Sequence, residues 1–356
     1  MITMRSLGRT VILAVILAAA PAAPLACGEG VRPAAPPRST LAATTTMAPA
    51  SVASFRMNVL DLDRELAFLR SLDLTVIGER PLAGPAFDQL VGAPSARARE
   101  VTLALGASLL VLTQFSTPVG RDVEVGRAND AGFQHIAIVV RDMDAAYARL
   151  ARTPMRPVSP SPQTLPASNP VAAGIRAVYF RDPEGHFLEL LQFPADKGDP
   201  KWHRPTEQVF LGIDHSAIVT ASTERSLHFY RDVLGMHVAS ESLNEGREQE
   251  LLSGVAGARV HITSLHGASG PGVELLEYLA PRDGKPFPPS TAADSVSTQI
   301  ALEVDSVEAT LDALGRAWAG ASSAPGGRYD ALVRDPDGHT IRLSERTPND
   351  AARPRP

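Results

Sequence analysis

The sequence predicts an α+β fold made of four successive modules, each reading strand, helix and about three further strands. Two internal repeats carry this prediction. Phe180-Arg-Asp-Pro-Glu-Gly-His-Phe-Leu-Glu-Leu-Leu191 matches Val333-Arg-Asp-Pro-Asp-Gly-His-Thr-Ile-Arg-Leu-Ser344. Val59-Leu-Asp-Leu-Asp-Arg-Glu-Leu-Ala-Phe-Leu-Arg70 matches Thr220-Ala-Ser-Thr-Glu-Arg-Ser-Leu-His-Phe-Tyr-Arg231. Internal similarity of this kind is the mark of a repeated supersecondary unit. The third observation is composition. The chain has 356 residues, 44% hydrophobic and 21% charged, enough for about two domains with real cores.

Residues 1–27 read as an export signal. Arg5 and Arg9 are basic, and the apolar run from Val11 to Ala20 is ten residues, too short for a spanning helix. Small residues follow, ending in Pro24-Leu25-Ala26-Cys27. Cys27 stands where a lipoprotein signal carries its acylated cysteine, but Pro24 occupies the place usually held by Leu. A lipid anchor on Cys27 and a simple cleaved signal both remain open. The expected location is exported: periplasmic, envelope-anchored or extracellular. Residues 28–52, rich in Pro, Ala, Thr and Ser, read as a disordered tether.

The four modules fall at about 53–116, 131–194, 210–280 and 295–347. The first two make a domain over 53–194 and the last two a domain over 210–347, with a linker at 195–209 and a disordered tail at 348–356. Ile136–Val140 and Ile300–Val304 alternate as strands, and each precedes an Asp and a helical stretch, Ala145–Leu150 and Val307–Leu314. In the first and third modules, Leu and Phe two residues apart precede Arg on an amphipathic helix. Each Asp-Pro-x-Gly places Pro second and Gly fourth in a tight turn between strands.

This pattern resembles the vicinal oxygen chelate superfamily, which includes glyoxalase I, bleomycin-resistance proteins, extradiol dioxygenases and methylmalonyl-CoA epimerase. The resemblance covers nearly all the chain beyond the tether. Its most specific pieces are Ile213-Asp-His-Ser-Ala-Ile-Val219, Ser226-Leu-His-Phe-Tyr-Arg-Asp-Val-Leu-Gly235 and the two Asp-Pro-x-Gly-His turns. It implies that pairs of modules curl mixed sheets into two cups, each around one site. Metal-dependent members carry a His in the first strand of a module and a Glu in its last. Those positions are Ser54 and Val111 in the first module, His135 and Glu189 in the second, His215 and Glu274 in the third, and Gln299 and Arg342 in the fourth.

The residues point the same way. Strand alternation puts Glu189 on one face with Phe187 and Leu191, and Glu274 with Leu276 and Tyr278. A carboxylate among such neighbours is costly unless paired or bound to a cation. His135, Glu189, His215 and Glu274 make an N₂O₂ set suited to one divalent ion: Zn, Ni, Co, Fe or Mn. Arg342 is a fixed cation and cannot coordinate a metal. Only pairing of the second module with the third gathers all four ligands. The intervals between ligand positions of neighbouring modules (111 to 135, 189 to 215, 274 to 299) are nearly equal and mark no domain boundary. The cross-paired site is therefore the expected one, with the first and fourth modules forming a degenerate cup.

The implied function is a metal-dependent isomerase, lyase or epimerase acting on a small oxygenated substrate through an enediolate. Glu189 and Glu274 are the candidate bases. Lactoylglutathione is not the expected substrate, because an exported enzyme would not meet the cytosolic thiol pool. Two alternatives stand. Ser54, Val111, Gln299 and Arg342 favour a metal-free sequestering cup of bleomycin-resistance type. His135, His215 and one Glu could supply an extradiol iron site, although a second Glu argues against it. A net charge of −5 gives no reason to expect nucleic acid, and one cysteine excludes an internal disulfide framework or a multi-Cys metal site. The partners expected are a small molecule and, through a lipidated Cys27, a membrane.

Overall fold

The first module is built from β1 (Ser51–Asn58), α1 (Leu62–Ser71), β2 (Thr75–Ala83), α2 (Pro85–Val91), β3 (Arg97–Leu105) and β4 (Ser108–Thr117). The second has β5 (Gln134–Val140), α3 (Met143–Leu150), the short β6 (Arg156–Pro157) and β7 (Gln163–Thr164), β8 (Arg176–Arg181) and β9 (Phe187–Gln192). The third has β10 (Phe210–Val219), α4 (Thr223–Leu227), β11 (His237–Glu245), α5 (Arg247–Ser253), β12 (Arg259–His266) and β13 (Gly272–Ala280). The fourth has β14 (Gln299–Val304), α6 (Val307–Ala317), β15 (Asp330–Arg334) and β16 (Thr340–Glu345). This computed structural model describes residues 48–317 and 330–346. The export signal with Cys27, most of the tether and the 348–356 tail lie outside the described residues. Ser51 and Val52 already belong to β1, so the tether ends earlier than expected.

Each module turns from its first strand into a helix through a capping side chain. Asp61 accepts from the Arg64 amide, Asp142 from Asp144 and Ala145, and Ser222 from Arg225. Such caps satisfy amides the helix leaves open and contribute about 1 kcal/mol each. In the third module α4 passes directly into a π-helical turn, His228–Val233. The stretch from Arg231 to the left-handed Gly235 is one residue longer than that from Arg70 to the left-handed Asp73. The π turn absorbs the extra residue while keeping Phe229 and Tyr230 buried.

The strands form two mixed sheets, and the modules pair across the sequence halves. One sheet runs β15-β16-β14-β1-β4-β3-β2, from the first and fourth modules. The other runs β11-β12-β13-β10-β5-β9-β8-β6, with β7 on β8, from the second and third. The central pairings are antiparallel, β1 on β14 and β10 on β5. Thus 53–194 and 210–347 each give one module to each sheet. The two crossing connections bind one another. Arg121 pairs with Asp294 at 2.7 Å, the Val123 amide donates to Ser295 Oγ at 2.9 Å, and the Lys285 amide donates to Asp130 at 2.8 Å.

The helix-bearing faces of both sheets share one core, with Phe55, Leu69, Ile138, Phe180, Ile218, Tyr230 and Leu343 buried together. Each such side chain contributes roughly 1.5–3 kcal/mol by leaving water. The repeated turns also join modules. Glu184 accepts from the Leu60 amide at 2.6 Å and pairs with Arg64, so the second module caps the helix of the first. Asp337 accepts from the Ala221 amide at 3.2 Å and pairs with Arg225 at 2.7 Å, so the fourth module caps the helix of the third. The turn glycines Gly185 and Gly338 have φ of 97° and 104°, a conformation L side chains disfavour. His186 bridges Asp182 and the Asn58 carbonyl, and His339 bridges Asp335 and the Phe133 carbonyl. Each histidine therefore ties one sheet to the other.

Candidate metal centre

Away from the shared core, the nine-stranded sheet curls around a second apolar cluster that includes Phe133, Phe187, Leu191, Leu276 and Tyr278. Glu189 and Glu274 rise from this face, as strand alternation predicts. The ladder places the four candidate ligands about a local two-fold. Glu189 sits opposite Ala137 and Glu274 opposite Ala217. His135 sits opposite Ala217 and His215 opposite Ala137. The two alanines leave the space into which the longer side chains lean.

The four side chains meet. His135 Nε2 is 3.3 Å from His215 Nε2 and 3.2 Å from Glu189 Oε2. His215 Nε2 is 3.6 Å from Glu189 Oε2 and 3.4 Å from Glu274 Oε2. His135, Glu189 and His215 each offer an atom within 4.8 Å of the others, and all three are buried. Glu274 touches this group through His215 and is the more open carboxylate, its side chain 21% exposed against 6% for Glu189. The donor set fits a divalent ion. With bonds of about 2.1 Å, neighbouring ligand atoms around one ion lie about 3.0 Å apart at right angles and about 3.4 Å apart in a tetrahedron. Among the described residues, the ion pairs of Glu189 and Glu274 are with histidines only. A buried carboxylate so placed needs a cation or a proton.

The two histidines are held differently. His215 Nδ1 lies 3.0 Å from Asp214 Oδ2, and Trp202 Nε1 donates to Asp214 Oδ1 at 3.0 Å. Burial alone would push the His215 imidazolium down. Glu274, the hydrogen bond and charge of Asp214, and Glu189 outweigh burial and raise it to about 10. The cluster thus attracts positive charge strongly. Among the described residues His135 Nδ1 is buried without a partner, and its ring is set by packing, 5.5 Å from Phe133 and 4.8 Å from Tyr179. Burial, with Glu189 next, keeps the Tyr179 phenol well above its usual range. Ser264 Oγ donates to Glu274 Oε1.

A cleft of about 620 Å³ opens onto Glu189, His215 and Glu274. One wall is apolar, with Ile175, Leu191 and Phe193, and the other carries Ser240, Ser242, Asn244 and His266. Asp214, Trp202, Ser264 and Tyr179 escaped the sequence reading. Asp214 adjoins His215 within a quoted motif, but no spacing rule links Trp202 to it.

The seven-stranded sheet repeats the register without the chemistry. Ala301 faces Ser54 and Arg342, and Arg56 faces Val111 and Gln299. Ser54, Val111, Gln299 and Arg342 therefore hold the positions of His215, Glu274, His135 and Glu189. Arg342 pairs with Asp330 at 2.7 Å, while Glu100 takes both Arg56 and Arg80. Burial, then Arg342, lowers the Arg56 guanidinium to about 10. This cup already holds fixed cations where its counterpart gathers ligands.

Solved structures share the architecture. Glyoxalase I from Zea mays superposes with a TM-score of 0.56 at 15% identity, over 83% of this chain and 92% of that one. A putative dioxygenase from Bacillus subtilis gives 0.52 at 13%, over 85% and 86%. A 2-epi-5-epi-valiolone epimerase from Actinomyces sp. is 39% identical over 102 residues, 28% of this chain. The chain spans about half of that relative, 54% of its length. The Glyoxalase/Bleomycin resistance protein/Dioxygenase superfamily model matches residues 51–190 and 212–343, the two stretches that supply the paired modules. Matched over most of its length and folded into four such modules, the chain belongs to this superfamily, the vicinal oxygen chelate group.

Proposed function

We propose that the protein is a metal-dependent epimerase or isomerase that moves a proton beside a carbonyl of a small oxygenated substrate. The observation that carries this reading is the convergence of His135, Glu189 and His215 from two modules beneath a cleft, with Glu274 beside His215 at its edge. His135, Glu189 and His215 would hold the ion, and Glu274 completes the set at its open edge. A divalent ion there would polarise a carbonyl and stabilise the negative charge of an enediolate. Glu274 faces the cleft and is steadied by Ser264, so it takes the proton from the carbon beside the carbonyl; in an isomerisation it delivers that proton to the adjoining carbon, and in an epimerisation the opposite face of the same carbon is reprotonated, for which Glu189 is the second candidate. The serines and Asn244 on one wall orient hydroxyl groups, while the apolar wall covers a ring face and excludes water. The epimerase relative supports epimerisation, and the substrate in its name suggests a hydroxylated ring as the compound to try first.

The test is solvent exchange. Zn²⁺-, Co²⁺-, Ni²⁺- or Mn²⁺-loaded protein should place deuterium from D₂O beside the carbonyl of hydroxylated cyclic ketones, and chelation should abolish it. Protein that binds no divalent ion, or binds one with no exchange on any such ketone, would sink the reading. A second reading comes from the tight group of three. Two His and one carboxylate also suit an iron site that activates O₂, and ring cleavage of catechols by Fe²⁺-loaded protein would favour it.

We also propose export. Arg5, Arg9, the short apolar run and Cys27 support it, and a full-length unprocessed protein in the cytoplasmic fraction would count against it.

A further inference from the structure

We propose that Trp202 is a positioning residue for the metal centre, acting on the His215 ring through Asp214. The inference rests on the reading that His135, Glu189 and His215 hold a divalent ion. Trp202 belongs to the 195–209 linker, which does more than connect modules. Lys197, Asp199 and Lys201 of this segment form part of the cleft wall. Asp199 caps a 3₁₀ turn, Pro200–His203, that turns the indole inward. Lys201 and His203 are exposed while Trp202 between them is buried.

Asp214 gives one oxygen to each neighbour: Oδ1 accepts from the indole N–H and Oδ2 from His215 Nδ1, both at 3.0 Å. Held from two sides, the carboxylate has one orientation. That keeps the His215 proton on Nδ1 and leaves the Nε2 lone pair directed at the other ligands. Among the described residues His135 has no such partner at Nδ1, so the centre depends on His215 for its hydrogen-bonded anchor. The seat for the indole is built into β10. A Cβ on Gly212 would lie 2.8 Å from Trp202 Cη2, so the ring rests where only glycine leaves room. The outer side of Trp202 borders a second cavity of about 720 Å³, which shares Asp199, Lys201 and Gly270 with the cleft.

The experiment is a Zn²⁺ titration of the full chain, with melting of the metal-free protein measured on the same samples. Trp202→Phe removes the donor and keeps a ring; Gly212→Ala displaces the ring and leaves Asp214 and His215 intact. Both should weaken Zn²⁺ binding by about 10–100-fold, the usual effect of losing a residue that orients a ligand. A purely structural tryptophan would lower the melting temperature and leave affinity unchanged, and that result overturns the proposal. Asp214→Asn weakening binding while Trp202→Phe does not would also overturn it. Wild-type protein that binds no Zn²⁺ refutes the metal reading itself, a separable failure. If neither variant folds, Trp318→Phe protein reports on Trp202 alone: its indole emission should shift on adding Zn²⁺, and unchanged emission counts against the proposal.

Discussion

Glu189 and Glu274 stand at matching places on two strands, yet their surroundings give them different work. Glu189 is wedged against both histidines, and Glu274 touches only His215 and takes a hydrogen bond from Ser264. Glu189→Gln should therefore lower metal affinity by 10-fold or more (about 1.4 kcal/mol), with exchange activity falling in step. Glu274→Gln should retain most metal binding and lose about 100-fold or more in solvent exchange, as expected for removal of a proton-transfer group. Isothermal titration of Zn²⁺ beside deuterium incorporation measures both, and equal loss of affinity in the two variants would show that both carboxylates serve as ligands. The four meeting residues were legible from their places in repeated strands. Asp214, Ser264 and Trp202 were not, because the contacts that orient a ligand join a linker to neighbouring strands.

The Asp-Pro-x-Gly-His turns were legible as turns, but their use as latches between sheets was not. That use follows from cross-pairing, which brings Asn58 and Phe133 to the histidines. The first latch also buries Glu65, fully covered and, among the described residues, with no donor to either carboxyl oxygen. Burial, then the neighbouring Asp182 carboxylate, pushes the Glu65 carboxyl well up. An acid whose folded pKa is raised contributes stability that is present below its unfolded pKa. That stability is lost as pH rises through the folded value. His186 shifts in the same direction: burial lowers it, but Asp182 and Glu184 outweigh burial and raise it, so its contribution fades above the usual imidazole range. Melting temperature should thus fall from pH 5 to pH 8. Glu65→Gln, which needs no proton to stay neutral, should flatten that fall, with a gain at pH 8 of about 2–4 °C per kcal/mol recovered and little gain at pH 4.5. A parallel pH profile in the variant would exclude Glu65 as the source. The π turn, by contrast, left no trace in the sequence, since an extra residue is as easily placed in a loop.

Each sheet needs one module from each half of the chain, so neither half holds a complete sheet. A polypeptide of residues 48–194 would expose the edge of β1 that pairs with β14 and the edge of β5 that pairs with β10. It should aggregate or melt without a cooperative transition, while the two halves produced together should associate. A soluble, cooperatively melting 48–194 fragment would contradict this. Near-equal spacing between modules hid the pairing, and only the complementary ligands revealed it. The same topology sets an order of assembly. The β5–β10 seam joins Ala217 to His135, but the β1–β14 seam joins Ser51 to Glu303, about 250 residues apart. Distant pairings form late, because a long loop must close before any contact rewards it. During synthesis the ligand-bearing sheet can close once the third module has emerged. The seven-stranded sheet must wait, with β1 unpaired on the β14 side, until the last sixth or so of the chain arrives. The first strand of the fold is thus completed by one of the last to be made, about 250 residues later.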